Sequence, residues 1–189
     1  MHPFTSHIRK FVPLSSEEEI ELLGCTRSIT VKKKTQLLKE GDICRSLYFV
    51  SQGLLRMYFI GGKGNEQIVQ FAKENWWLCD YFSYERQEAA AFHIQAIENS
   101  ELIAIDYDQY DVLLQKIPQM ERYFRIMFQR STAAAQVRMK HQAELSREEI
   151  YRFFNNAFPE FVQRVPQYML ASYLGLTPEY LSEIRKKKL

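Results

Sequence analysis

The sequence predicts an α+β chain: an N-terminal jelly-roll-like β-roll of the double-stranded β-helix type, a long dimerisation helix, and a C-terminal helix-turn-helix domain. Three observations carry that prediction. From Ile29 to about Asp106 the texture is short β-rich runs separated by turn residues. From Pro118 to Gln142 apolar or small residues recur at alternating steps of four and three. Near the end, QYMLASYLGLTPEYLSEIRKKK (Gln167 to Lys188) reads as two helices around a tight turn. The expected units are therefore 1–117, 118–142 and 143–189.

The first helix signal is Ser15-Ser16-Glu17-Glu18-Glu19, where Ser15 with Glu18, or Ser16 with Glu19, makes a capping box. Ile20, Leu22 and Leu23 give this helix an apolar side, and Gly24 ends it. The expected strands follow as SITVKK (28–33), TQLLK (35–39), LYFVS (47–51), LLRMYFI (54–60), EQIVQFA (66–72), AFHIQAI (91–97) and ELIAID (101–106). Gly41-Asp42, Gly53 and Gly61-Gly62-Lys63-Gly64 are the turns between them. Helical periodicity starts at Asp106 and is interrupted at Ile117-Pro118, because a residue before proline avoids the α region.

In the long helix the seam is Met120, Phe124, Met127, Ser131 and Ala134, extended backward by Leu113 and Ile117. Such a stripe either pairs with a second copy or covers the β domain, and Tyr123 and Phe128 add a second apolar flank. A parallel dimer helix is favoured, since helix-turn-helix readers bind two half-sites as dimers. Ser146-Arg147-Glu148-Glu149 opens a further capped helix carrying Ile150, Phe153, Phe154 and Ala157, ended by Asn155-Asn156 and Pro159. The PEFVQR segment after it is too short for a β-hairpin.

In the terminal pair, Ala171 is small enough for two helices to cross, and Gly175 supplies a positive φ at the turn. Thr177 is the expected N-cap and Pro178 the first helical residue. The second helix would enter the DNA major groove, with Arg185-Lys186-Lys187-Lys188 suited to phosphates. An ordinary helical hairpin, with cations meeting a helix C-terminus, is the plainer alternative.

The totals set bounds. With 189 residues and 46% hydrophobic content, the chain is long enough for one large and one small domain. A net charge of +2 means that any basic surface is local, as along Arg122, Arg125, Arg130, Arg138 and Lys140. Neither a signal peptide nor a stretch of membrane-spanning length is evident, so a cytoplasmic protein with no membrane partner is expected. Cys25, Cys44 and Cys79 are widely spaced and never form C-x-x-C. Inert thiols are expected, with no metal site and no redox or haem sensing. His2, His7, His93 and His141 include no H-x-H pair for a cupin-type metal, and no P-loop or G-x-S-x-G is present. No catalytic residues are assigned, and no enzyme activity is expected.

The order of β domain, long helix and helix-turn-helix resembles the Crp/Fnr family of bacterial transcription regulators. The matching stretches are LLKEGDICRSLYFVSQGLLRMYF in the roll and Ala171, Gly175, Thr177, Glu179 and Ser182 near the end. The short members common in Bacteroidetes-type bacteria are especially similar, through VPQ…ASYLG-TPE-LS-IRKK. The resemblance implies a cyclic-nucleotide-binding-like sensor whose state is relayed through the long helix to DNA readers. It implies double-stranded DNA, a second copy of the chain, a small-molecule effector and RNA polymerase as partners.

Nucleotide-binding members use a Gly-Glu pair on the ribose and an Arg followed by Ser or Thr on the cyclic phosphate. Here Cys79-Asp80 and Ala90-Ala91 fall at those places, and Arg86 is the nearby cation. A buried phosphate needs a charge partner, so cyclic AMP is not the expected effector, and no cofactor is assigned. The candidate effector pocket is Trp77, Asp80, Tyr81, Arg86, Ala90 and Ala91. Trp76, Trp77, Tyr81, Phe82 and Tyr84 line an aromatic site or simply plug the core. A degenerate, ligand-free scaffold acting as a constitutive DNA-binding or protein-interaction module is the alternative.

By the same resemblance, Glu179 accepts from cytosine N4. Pro178 and Glu183 stand where better-known members carry arginine, so their operator does not transfer. The expected DNA-facing residues are Thr177, Glu179, Tyr180 and Ser182 at base edges or phosphates. Arg185, Lys186 and Lys187 hold the backbone.

Overall fold

The computed structural model describes residues 3–186. Its elements, in order, are α1 (Pro3–Ile8), α2 (Ser16–Gly24), β1 (Arg27–Val31), β2 (Gln36–Leu38), β3 (Ser46–Gln52), β4 (Leu55–Ile60), β5 (Glu66–Ala72) and β6 (Trp77–Leu78). There follow α3 (Tyr81–Arg86), β7 (His93–Ala96), β8 (Ser100–Asp106), α4 (Tyr107–Lys116), α5 (Gln119–Glu144), α6 (Arg147–Ala157), α7 (Pro159–Arg164), α8 (Gln167–Leu174) and α9 (Pro178–Lys186). The fold is the expected mixed one: an antiparallel β core, a long helix and C-terminal helices. Two compact units emerge, residues 1–59 with 69–128, and residues 60–68 with 129–189. The border falls inside α5.

The roll consists of two four-stranded sheets, ordered β1-β8-β3-β6 and β2-β7-β4-β5. All seven expected strands form, within a few residues at their ends. β6 is an eighth, too short for alternation to reveal it. Strand β3 is buried along Ser46–Val50, so both of its faces are covered. Phe49 meets Phe4 of α1 at 4.9 Å between ring centroids and Trp77 of β6 at 5.3 Å. Trp77 in turn meets Phe124 of α5 at 5.4 Å. At the β3–β4 turn, Gly53 has φ +103, and an added Cβ would lie 2.8 Å from the Ser100 Cα. Only glycine fits there.

One buried hydroxyl ties three elements together. The Trp77 Nε1–H donates to the Tyr123 Oη at 2.9 Å, and that hydroxyl lies 3.1 Å from the His7 Nδ1. The Tyr123 hydroxyl thus accepts from Trp77, and its role toward His7 follows the imidazole tautomer. Burial pushes the Tyr123 phenol well above its ordinary range, so it stays protonated. Helix α1, absent from the sequence expectation, is held by this bond and by the fully buried Phe4 and Ile8.

Between the two capping-box options at α2, the chain uses Ser15 with Glu18. Ser146 with Glu149 forms the box at α6, as expected. PEFVQR is a short helix, α7, with Pro159 in its first turn. The expected seam of α5 is corrected in its first half. Met120 and Phe124 are 0% and 3% exposed and sit in this chain's own core, with Met127 packed beside them. Ser131 and Ala134 are exposed.

Candidate functional site

Helices α8 and α9 form the motif read from the sequence, and its local chemistry explains the turn. Gly175 has φ +71 and ψ +28, the left-handed conformation. The Leu176 N–H donates to the Ala171 carbonyl at 2.8 Å and the Gly175 N–H to the Ser172 carbonyl at 3.2 Å. Those two bonds close a Schellman cap. Thr177 Oγ1 then accepts from the Tyr180 N–H at 3.2 Å, which starts α9 with Pro178 in its first turn.

Met169, Leu170, Ala171, Leu174, Leu176, Leu181 and Ile184 are buried, so this pair has a core of its own. Within the same unit the rings of Phe154 and Tyr173 lie 5.6 Å apart, and the Arg138 guanidinium covers Tyr173 at 4.9 Å. The Ser172 hydroxyl accepts from the Ile68 N–H at 2.9 Å and donates to the Glu66 carbonyl at 3.1 Å, so residues 66–68 are pinned to α8.

The expected DNA-facing residues divide by exposure. Thr177, Glu179, Arg185 and Lys186 are exposed, whereas Tyr180 and Ser182 are half-buried. Lys187 lies outside the described residues. Leu181 and Ile184 fix the inward side of α9, which at 100° per residue leaves Glu179, Ser182, Glu183 and Lys186 on the outward side. Tyr180 falls on the flank. Glu183, which the expected set omits, belongs to the outward row.

The six expected pocket residues stand in different settings, although Asp80 and Ala91 meet. Trp77 is 9% exposed and its indole N–H is engaged by Tyr123, which makes it a core residue. Asp80 is 2% exposed and caps α3: its carboxylate accepts from the Ser83 N–H at 3.2 Å and the Ala91 N–H at 3.1 Å. Ala90 is buried, its backbone paired with Asp42 and Gly41. Ala91 is exposed. Arg86 sits in the last turn of α3, over the Phe82 ring at 4.5 Å. Tyr81 packs on Phe128 at 5.2 Å. Beside them the Tyr84 hydroxyl is buried with no hydrogen-bond partner among the described residues, and its ring lies between Tyr107 and Tyr110.

One juxtaposition was absent from the sequence reading. The Cys44 and Cys79 sulfurs lie 3.6 Å apart, although spacing suggested isolated, inert thiols. The antiparallel β3–β6 pairing and the bonds from Cys44 to Ser83 and Gln87 bring them together, and spacing alone carries no signal of it.

Residues 28–117 match the cyclic nucleotide-binding domain family. The fumarate and nitrate reduction regulatory protein of Vibrio cholerae is 26% identical over 182 residues, covering 89% of this chain and 72% of that protein. Over most of its length the chain is similar to regulators of the Crp/Fnr family. The regulatory protein HlyX of Actinobacillus pleuropneumoniae is 27% identical, with 89% of this chain and 75% of that protein covered. FixK2 from Bradyrhizobium japonicum shares the fold with a TM-score of 0.73 at 16% identity, over 86% of this chain and 83% of that one. The c-di-GMP-responsive regulator CLP of Xanthomonas campestris gives 0.71 at 17% identity, over 92% and 91%. None of the helices in the described residues is long and apolar enough to cross a membrane.

Proposed function

We propose that this chain is a DNA-binding transcription regulator of Crp/Fnr type, working in the cytoplasm as a homodimer and without enzyme activity. The observation that carries the reading is the α8–Gly175–α9 turn, with the exposed row Glu179, Glu183 and Lys186 on its second helix. A major groove admits an α-helix, and that row is the face α9 would present to it. Glu179 and Glu183 are one helical turn apart, so their carboxylates accept from cytosine or adenine amino groups, while Arg185 and Lys186 hold phosphates. In this reading α5 continues into the dimer contact, and RNA polymerase is the downstream partner.

The roll is proposed to respond to a small effector other than cyclic AMP. The Asp80 carboxylate is committed to backbone N–H groups, and alanines stand where the phosphate partner is needed. The unpartnered Tyr84 hydroxyl supports an effector near α3, because a buried unpaired hydroxyl is disfavoured. The ligand-free scaffold is the second reading, favoured by Trp77 standing as a core plug.

The test is fluorescence-anisotropy binding to a randomised DNA pool across a salt series, with sequencing of the bound fraction. An enriched palindrome with a steep salt slope supports a dimeric reader. Arg185→Ala should weaken binding to all sequences alike and reduce that slope by about one. Unchanged binding by that variant would overturn the assignment of Arg185.

A further inference from the structure

Cys44 and Cys79 are each 1% exposed, with sulfurs 3.6 Å apart, and both are attached to the same short helix. Cys79 immediately precedes Asp80, the residue that caps α3. Cys44 is tied to the other side: its N–H donates to the Ser83 Oγ at 2.9 Å, and its carbonyl accepts from the Gln87 Nε2 at 3.3 Å. Cys25 is also buried, and its sulfur has no thiol partner among the described residues.

The two thiols are not equivalent. The hydrogen bond from Cys79, helped by the Asp80 backbone N–H, holds the Cys44 thiol below its ordinary value despite burial. Burial pushes the Cys79 thiol strongly up. Cys44 is therefore the sulfur that reacts first, and Cys79 the one that resolves.

We propose that Cys44 and Cys79 form a reversible intrachain disulfide, a redox-modification site that takes a small hydroperoxide as oxidant and gives the roll an input at α3. The Cys44 thiolate attacks one peroxide oxygen, and the O–O bond breaks. Cys44 becomes a sulfenic acid, and the other oxygen leaves as water or an alcohol. Cys79 then loses its proton and attacks the Cys44 sulfur; the S–O bond breaks and the departing hydroxide takes up a proton as water. Two thiols lose two electrons and two protons, and one peroxide bond is reduced. A small dithiol reverses the step by exchange.

A disulfide brings its sulfurs to about 2.04 Å, so the pair must close by roughly 1.5 Å. That movement falls on α3, which carries Tyr81 against Phe128 and Tyr84 against Tyr107. Oxidation therefore repacks the helix that borders the first turns of α5.

The experiment treats the reduced full-length chain with hydrogen peroxide, with glutathione as an internal benchmark. It then denatures the chain, blocks free thiols with N-ethylmaleimide and reads intact and peptide masses. The expected product is a monomeric chain lighter by two hydrogens, with the Cys44 and Cys79 peptides linked and Cys25 alkylated. Dithiothreitol should restore all the thiols. Hydrogen exchange of the α3 amides should differ between the oxidised and reduced forms. In Cys79→Ser, dimedone should capture a sulfenic acid at Cys44; the wild-type masses stand without it if that variant fails to fold. The proposal is overturned if both thiols remain alkylatable after glutathione is consumed, or if they oxidise without linking. Linkage between chains, or linkage with α3 exchange unchanged, overturns it as well.

Discussion

Tyr123→Phe tests the bond that holds α1, β6 and α5 together. The substitution keeps the ring, whose centroid lies 5.3 Å from Phe124, and removes only the hydroxyl. Two losses follow. The Trp77 indole N–H is stranded in a site only 9% exposed, and an orphaned buried donor costs about 1–3 kcal/mol. The bond to His7 contributes a further ~0.5–1.5 kcal/mol. The sum is about 2–4 kcal/mol, a sizeable part of a typical stability of roughly 5–15 kcal/mol. The assay is urea unfolding followed by tryptophan fluorescence. Both tryptophans, Trp76 and Trp77, belong to the first unit, so the signal reports that unit. With a denaturant slope of about 2 kcal/mol per molar, the midpoint should fall by roughly 1–2 M. In a Trp77→Phe background the donor is already gone, and Tyr123→Phe should cost about 1–2 kcal/mol less there. A loss below about 0.5 kcal/mol in both backgrounds would refute the network as a source of stability.

Glycine substitutions should separate crowding from conformation. Gly53→Ala combines φ +103 with an added Cβ 2.8 Å from the Ser100 Cα, whereas Gly175→Ala, at φ +71, meets nothing within 4 Å. Thermal unfolding should show about 1 kcal/mol lost at Gly175 and clearly more at Gly53; equal losses would contradict the close approach. For Asp106, burial pushes the carboxyl up, but hydrogen bonds from Arg27 and Ser46 outweigh it and hold the group below its usual range. A depressed folded value means that its stabilisation is present above about pH 4 and disappears as pH falls through that lower value. Asp106→Asn should flatten this acid-side decline in urea midpoints, by less than about 1 kcal/mol because the pair is substantially exposed. Ser172→Ala should speed hydrogen exchange at the Ile68 amide, which donates to that hydroxyl at 2.9 Å.

Where one local rule decides the structure, the sequence was readable. The Ser15 and Ser146 caps, Gly175, Thr177 and Pro178 all follow from chemistry within four residues. Segments stabilised from far away were not readable. Helix α1 is only PFTSHI, and its order comes from Phe49, Trp77 and Tyr123, more than forty residues distant. Strand β6 is a two-residue pairing with β3. Helix α3 is six residues long, and nothing within its own span announces Asp80 as its cap. Pro159 reads as a stop for α6, and the same residue serves as the start of α7. Asp80 carries a related lesson, because one of its partners, the Ala91 N–H, lies eleven residues away. Aligning positions with a family pattern identifies where a phosphate partner would stand, but not which carboxylate the fold has already spent.

Helix α5 shows the limit of periodicity most clearly. A step of four and three says that one stripe is apolar; it does not say what covers it. Leu113, Ile117, Met120 and Phe124 are all buried within this chain, so that part of the stripe is already used. Beyond Met127 its character changes: Ser131 and Ala134 are small and exposed, and Phe128, Val137 and Met139 are exposed on neighbouring faces. A second copy that pairs along α5 must therefore meet small residues flanked by larger apolar ones, rather than the heptad read from its first turns. Phe128 occupies the junction, touching Tyr81 of α3 at 5.2 Å while 37% exposed. A change at α3 consequently reaches the last residue of the first unit through a single ring contact.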